Sequence, residues 1–270
     1  MISVSSLVAM AVATLVAIGL PVALAWYMVR RHKVPLKTII IGAVVFVVFA
    51  LGLESVAHQI ILKGPMGESI MSRVWSYALY GGFMAALFEE AGRFITMKWL
   101  LRAQPSGLRP ALGYGIGHGG VEMMLIFGIS MISNLVLSLM LNSGQAETLL
   151  ASTPAEAQEQ VQAQFDTLRS LNCGMVALGL WERFSALFLQ ICLSLLMWTA
   201  VRRGGRWLWL ALVPFLIHFL VDTLAVVLSR STGMFEVEVY IFAMVLAIAA
   251  ITWLLVRPLP SKAGAAGLPK

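Results

Sequence analysis

The sequence predicts an all-α protein, a polytopic bundle of membrane-spanning helices that forms one domain over residues 1–257. Of its 270 residues, 60% are hydrophobic and only 12% are charged, about half the charged fraction usual in soluble proteins. Mean hydropathy is +0.88, and apolar residues come in runs of roughly twenty, the length that crosses a hydrocarbon core. The seven predicted spans are residues 4–29, 38–62, 74–99, 111–141, 173–201, 207–228 and 237–256.

The distribution of basic residues predicts the orientation of these spans. Loops on one side, with the C-terminal tail, carry 13 Lys and Arg residues, against 4 in the loops on the other side. Because basic loops stay in the cytoplasm, we expect the N-terminus outside and the C-terminus inside. The net charge of +6 lies mainly at the ends of spans, where it meets anionic lipid, so nucleic-acid binding is not expected. Residues 258–270, rich in Pro, Gly and Ala, are predicted to be a disordered cytoplasmic tail.

One long loop, residues 142–172, is polar and net acidic. A capping box from Thr153 to Glu156 predicts the start of a helix. The apolar residues that follow at helical spacing are Val161, Phe165 and Leu168. We therefore expect a short amphipathic helix on the extracytoplasmic surface, either as an ordinary structured loop or as a lid over a substrate path.

Ionisable residues inside the third span are the first sign of a functional site, because each costs about 2.5–3.5 kcal/mol at the centre of a membrane helix. The sequence here is Glu89-Glu90-Ala91-Gly92-Arg93. A spacing of four places Glu89 on the same helix face as Arg93. Adjacent carboxylates repel, so we expect one glutamate to pair with the arginine and the other to stay protonated. Such a pair suits acid–base chemistry, although an ion pair that only locks helix packing is an alternative.

Two later spans each carry a histidine followed four residues later by an acid. In the fourth span these are His118 and Glu122, and in the sixth they are His218 and Asp222. The fourth span is also rich in glycine over residues 113–120. It matches the dinucleotide pattern G-x-G-x-x-G formally, but without the βαβ unit that pattern needs. In a membrane helix such glycines instead permit close helix packing.

Depth in the membrane groups these residues. At a rise of 1.5 Å per residue, Glu89, Glu90 and His118 lie about 12 Å inside the cytoplasmic boundary, and His218 lies about 17 Å inside it. Three helices therefore present carboxylate and imidazole groups at similar height, as one site requires. For the remaining ionisable residues within spans we expect structural pairing or the lining of a pathway. These residues are Glu54, His58, Glu182 and Arg183.

Two histidines and a carboxylate can bind a zinc ion that carries a reactive water. A glutamate with a histidine can also activate water directly. Either arrangement suits hydrolysis of a peptide bond within the membrane. Buried carboxylates and histidines also form proton relays, so a proton- or ion-coupled transporter is the first alternative. A non-catalytic scaffold or immunity-type membrane protein is the second.

These motifs resemble those of the YhfC-type intramembrane metalloproteases, relatives of the CAAX prenyl protease and bacteriocin-processing superfamily. The superfamily pattern is Glu-Glu-x-x-x-Arg, then Phe-x-x-x-His, then His-x-x-x-Asn/Asp. Here the motif ending at Arg93 is one residue shorter, Tyr114 stands where the second motif has Phe, and His218 with Asp222 fits the third. The resemblance covers about residues 75–225.

The resemblance implies that Glu89 or Glu90 activates the water and that His118 and His218 bind the metal or stabilise the oxyanion. Arg93, Glu122 and Asp222 are the expected supporting residues, Asp222 acting on His218. The expected metal ligands are His118, His218 and Glu122, and the expected cofactor is zinc. The substrate would be a membrane-associated protein or peptide, and the location the bacterial cytoplasmic membrane.

Overall fold

The computed structural model describes residues 1–256, and all regular structure in that range is helical. The helices are α1 (Val4–His32), α2 (Leu36–Leu62), α3 (Gly67–Met71), α4 (Val74–Ile95), α5 (Arg109–Asn142), α6 (Ala146–Ser152), α7 (Ala155–Ser170), α8 (Cys173–Arg203), α9 (Gly205–Ser229) and α10 (Met234–Leu255). The predicted all-α class is confirmed. The predicted disordered tail, residues 258–270, lies outside the described residues.

Six of these helices are long and apolar enough to cross a membrane: α1, α2, α5, α8, α9 and α10. Helix α4 has 22 residues, but with Glu89, Glu90 and Arg93 near its end it is not among the helices with a sufficiently apolar stretch. It packs against α9 and α2, while the face that carries Trp75, Leu79 and Phe83 is exposed. A short π-helical stretch, Thr96–Leu100, extends it. The seventh span and the orientation of the bundle stay predictions.

Glycines bring the backbone of α5 against two of its neighbours, α2 and α8. A Cβ atom at Gly117 would overlap the carbonyl oxygen of Ile39 in α2. On the opposite face, a Cβ at Gly115 would lie 2.7 Å from Cα of Ile191 in α8. Backbones can approach this closely only where side chains are absent. The glycine-rich stretch thus packs helices together, as predicted, and holds His118 between α2 and α8.

Two spans contain stretches of π-helix, a wider turn that often lies at functional sites. In α2 the stretch is Val47–Glu54, and in α5 it is Met123–Gly128, which begins directly after Glu122. Each wide turn rotates the side chains that follow it away from regular helical register. Glu54 and Glu122, two of the polar residues in these spans, lie at these irregular points.

The amphipathic helix predicted in the 142–172 loop is present as α7. Its buried residues, Phe165 and Leu168, face the bundle, and Leu168 joins an apolar cluster with Met10 of α1 and Val176 of α8. The predicted capping box does not form, because the Thr153 hydroxyl instead donates a 2.8 Å hydrogen bond back to a carbonyl of α6. Helix α7 therefore covers the ends of spanning helices at one face of the bundle, called the α7 face below.

Candidate functional site

Three potential metal ligands converge from two helices near the middle of the bundle. Glu89 of α4 and His118 and Glu122 of α5 each offer one donor atom, and these atoms all lie within 4.8 Å of one another. Nε2 of His118 is 2.8 Å from Oε2 of Glu89. The residues are 7%, 0% and 9% exposed. They are called the Glu–His–Glu group below.

Aromatic rings hold the His118 imidazole. Tyr114, one turn earlier in α5, stacks on it with the ring centroids 5.8 Å apart. Phe46 of α2 meets it edge-on at 5.1 Å. Nδ1 of His118 has no hydrogen-bond partner, so packing rather than a polar contact fixes the ring. This packing points Nε2 at Glu89.

The neighbouring glutamate, Glu90, has different partners. Its Oε1 accepts hydrogen bonds from Arg93 and from Nδ1 of His218, the latter at 3.0 Å. Arg93 is fully buried and also donates to the side-chain oxygen of Gln190 in α8. The predicted common face of Glu89 and Arg93 does not produce a pair between them. Glu89 is instead held by partners on other helices.

The structure brings His218 and Asp222 of α9 beside the group but not into it. Nε2 of His218 lies 3.4 Å from Oδ2 of Asp222 and 3.9 Å from Oε2 of Glu89. Of the expected ligands His118, His218 and Glu122, the structure brings the donor atoms of His118 and Glu122 together with that of Glu89. The two ring nitrogens of His218 lie nearest to Glu90 and Asp222.

Gln190 connects the parts of the site, and the sequence analysis assigned it no role. Its side-chain amide donates to Oε2 of Glu89 at 2.9 Å and to Oε2 of Glu122 at 3.0 Å. Its oxygen accepts from Arg93. One signal could have identified it: a buried amide in an apolar span, two helical turns after Arg183 and so on the same helix face.

Comparison with known proteins adds independent information. The family described as YhfC intramembrane metalloprotease matches residues 13–248. A Bacillus subtilis (strain 168) protein, "Uncharacterized membrane protein YhfC", is 33% identical over 255 residues, which cover 94% of this chain and 97% of the relative.

The chain belongs to the YhfC intramembrane metalloprotease family. No solved structure matches it. The apolar helices, together with this bacterial membrane relative, confirm the prediction of an integral membrane protein. The resemblance stated from the motifs is confirmed as well, with a match that covers most of the chain.

In this member of the YhfC family, the donor set suits a divalent metal ion. Catalytic zinc sites usually have three protein ligands, drawn from imidazole and carboxylate groups, and one open position. The Glu–His–Glu group supplies one imidazole and two carboxylates from buried side chains. Gln190 donates a hydrogen bond to each of the two carboxylates, and an outer hydrogen bond of this kind orients a metal ligand.

A cavity of about 460 Å³ lies over the group in this YhfC-family chain, and Glu89, Glu122, His218 and Asp222 line it. Its lining also includes the four residues expected to pair or to line a pathway: Glu54, His58, Glu182 and Arg183. Because α2, α4, α5, α8, α9 and α10 supply these walls, the cavity gives no support to a lid role for α7.

These four residues also form pairs. Glu54 lies 3.1 Å from one ring nitrogen of His58, and the other ring nitrogen bonds the Tyr80 hydroxyl at 2.8 Å. Glu182 pairs with Arg183. Both expectations for these residues, pairing and lining, are therefore met.

Proposed function

We propose that the protein is an intramembrane peptidase that hydrolyses a peptide bond of a membrane-associated protein or peptide in the bacterial cytoplasmic membrane. The observation that carries the proposal is the convergence of the Glu89, His118 and Glu122 donor atoms within 4.8 Å of one another, buried inside the bundle. The family description supports the same chemistry.

Glu89, His118 and Glu122 would hold the metal, with zinc as the proposed ion. Bound there, zinc supplies a water acidic enough to yield hydroxide near neutral pH and a positive charge that polarises the scissile carbonyl. This chain's own residues supply the remaining steps.

His218 is the proposed proton donor to the leaving amine. Its Nδ1 donates to Glu90 at 3.0 Å, which fixes the ring, and its Nε2 lies 3.4 Å from Oδ2 of Asp222. With a carboxyl group at each ring nitrogen, the ring is placed to donate from Nε2 into the cavity, directly or through one water. Asp222 lines the same cavity, so it can take the proton that the water loses and pass it to the ring after the ring has protonated the leaving amine.

Metal binding is the first test. We expect purified protein to contain about one equivalent of bound zinc, the stoichiometry of a single catalytic site. His118→Ala should lose the metal because it removes the imidazole ligand. The control is His58→Ala, a histidine in the same cavity but outside the group. Equal metal content in wild type and His118→Ala, measured by mass spectrometry, would rule out this site.

Cleavage is the second test. Membranes from cells that express wild type, Glu89→Gln or Glu90→Gln can be compared by mass spectrometry of protein N-termini. We expect new N-termini in the wild type that are absent with Glu89→Gln. If both variants retain every cleavage product, the proposal is wrong. Ion-dependent uptake by liposomes without any cleavage would favour the transporter alternative.

A further inference from the structure

Glu238, near the start of α10, is a buried carboxyl group that the proposed mechanism does not use. The residue is 6% exposed, and its Oε2 has no hydrogen-bond partner. A buried polar atom normally has such a partner, because desolvation without one costs about 1–3 kcal/mol and more for a charged group. A buried carboxyl oxygen that lacks a hydrogen-bond donor therefore indicates that a donor from outside the chain binds there.

Glu238 lines a second cavity, of about 380 Å³, together with Glu182 of α8. This cavity adjoins the one over the Glu–His–Glu group, since Glu182, Ala225 and two further residues line both. Glu238 lies one turn from the start of α10, at the α7 face of the bundle. The two cavities thus lead from that face towards the group.

The joint lining is strongly acidic. It contains six carboxylates, and among the described lining residues Arg183 is the one Lys or Arg. Arg183 is already engaged by Glu182 and, at 3.4 Å, by Glu122. A cleft lined by one sign of charge concentrates ligands of the opposite sign. A positively charged occupant would also complete the unpartnered carboxyl of Glu238.

We propose that Glu182 and Glu238 form a subsite for a positively charged group of the peptide substrate, a lysine or arginine side chain or a free α-amino group. This inference rests on the proposed function, since it places such a group in a cavity that adjoins the one over the Glu–His–Glu group. We therefore expect the peptidase to prefer substrates that carry a basic residue near the scissile bond.

The size and lining of the cavity favour a peptide group over an inorganic ion. Hard cations such as calcium take six or more oxygen ligands, more than the two carboxyl groups of this cavity supply. Its other walls include Val226, Val237 and Ile241. Apolar walls of this kind pack against the methylene stem of a lysine or arginine while the charged end reaches the carboxyls.

Charged thiol reagents can test the subsite without a known substrate. Ala225→Cys, in a background with Cys173→Ala and Cys192→Ala, places one thiol where both cavities meet. Its reaction with a cationic trimethylammonium-ethyl methanethiosulfonate is compared with that of the anionic sulfonatoethyl reagent, each relative to a free thiol. We expect a preference of about tenfold or more for the cation, the low end of the effect of a charged cleft.

Glu238→Gln should reduce this preference, because it removes the unpartnered carboxyl. The matched control is Glu236→Gln, since Glu236 lies two residues earlier in α10 but is exposed. The control should keep the wild-type preference. Equal rates for the two reagents, or equal effects of the two substitutions, would overturn the inference.

A second measurement addresses the class of ligand. An apolar peptide of about twenty residues, long enough to span the bilayer, carries one lysine in one version and norleucine in the other. The lysine peptide should slow labelling of Ala225→Cys, and Glu238→Gln should abolish the difference between the peptides. Equal protection by both peptides, or protection by sodium ions alone, would refute the proposal. These readouts need no catalysis. A negative result here would therefore contradict the subsite alone, whereas the tests of metal binding and cleavage address the proposed function.

Discussion

The two adjacent glutamates of α4 should respond very differently to the same substitution. Glu90 is the ion-pair partner of Arg93, which is fully buried, and it also accepts from His218. Glu89 faces the cavity, and its partners are His118 and Gln190. We predict that Glu90→Gln destabilises the fold, whereas Glu89→Gln removes metal binding and leaves the fold intact.

The magnitudes follow from what each substitution leaves behind. Glu90→Gln leaves the Arg93 guanidinium without its counter-charge, and breaking a buried ion pair in this way costs about 3–5 kcal/mol. Glu89→Gln keeps an oxygen that can still accept hydrogen bonds from its neutral partners. Its cost should be about 1 kcal/mol, the value of a typical hydrogen bond. The double variant Glu90→Gln/Arg93→Met removes both charges and should regain most of the lost stability.

Unfolding in mixed micelles with a rising fraction of sodium dodecyl sulfate measures these differences, and mass spectrometry of the folded protein measures the metal. The expected coupling energy between Glu90 and Arg93 is about 3 kcal/mol, at the upper end for residues in contact. The reasoning is refuted if Glu90→Gln is as stable as the wild type, or if the double variant is no more stable than Glu90→Gln alone. Metal retained by Glu89→Gln would refute its role as a ligand.

Two further predictions concern the surroundings of the group. Gln190→Met should weaken metal binding about 10–100-fold, as loss of an outer-shell partner does. Competition with a chromophoric chelator measures this, the exposed Gln59→Met serves as control, and an unchanged affinity would contradict it. Gly117→Ala should lower the free energy of unfolding by about 1–3 kcal/mol, because the new methyl meets the carbonyl of Ile39. Gly19→Ala, with no atom within 4 Å of the new Cβ, should be neutral or stabilising, and equal shifts in Tm would contradict the packing argument.

Much of the fold could be predicted because hydropathy and helical spacing are local properties. Six of the seven predicted spans are apolar enough to cross a membrane on their own, and Phe165 and Leu168 of α7 are buried as their spacing predicted. Short helix α6 and the wide turns in α2 and α5 were not predicted. These features depend on how neighbouring helices pack, which the local sequence does not encode.

The candidate site could be predicted where ionisable residues interrupt an apolar span, as Glu89 and Glu90 do, or where two polar residues share one helix face. His118 with Glu122 and His218 with Asp222 were found in this way, and both pairs lie at the site. Gln190 has its partners on α4 and α5, so no spacing along α8 reveals them. Likewise, Glu89 and Glu90 are adjacent in sequence, and only the surrounding helices distinguish their partners.

The balance of charges within the bundle favours Glu89 over Glu90 as a ligand of the proposed metal ion. Three buried carboxylates, Glu89, Glu90 and Glu122, lie near two arginines. Arg93 pairs with Glu90, whereas Arg183 is shared between Glu182 and Glu122, the latter at 3.4 Å.

Glu89 is left with an imidazole and an amide as its near partners, 2.8 and 2.9 Å away. A carboxylate buried in a medium of low dielectric constant needs a positive charge or a proton. Glu89 also lines the cavity, so a cation can reach it. Arg93 therefore balances Glu90, and Glu89, which has no arginine partner, is left to bind the proposed ion together with His118 and Glu122.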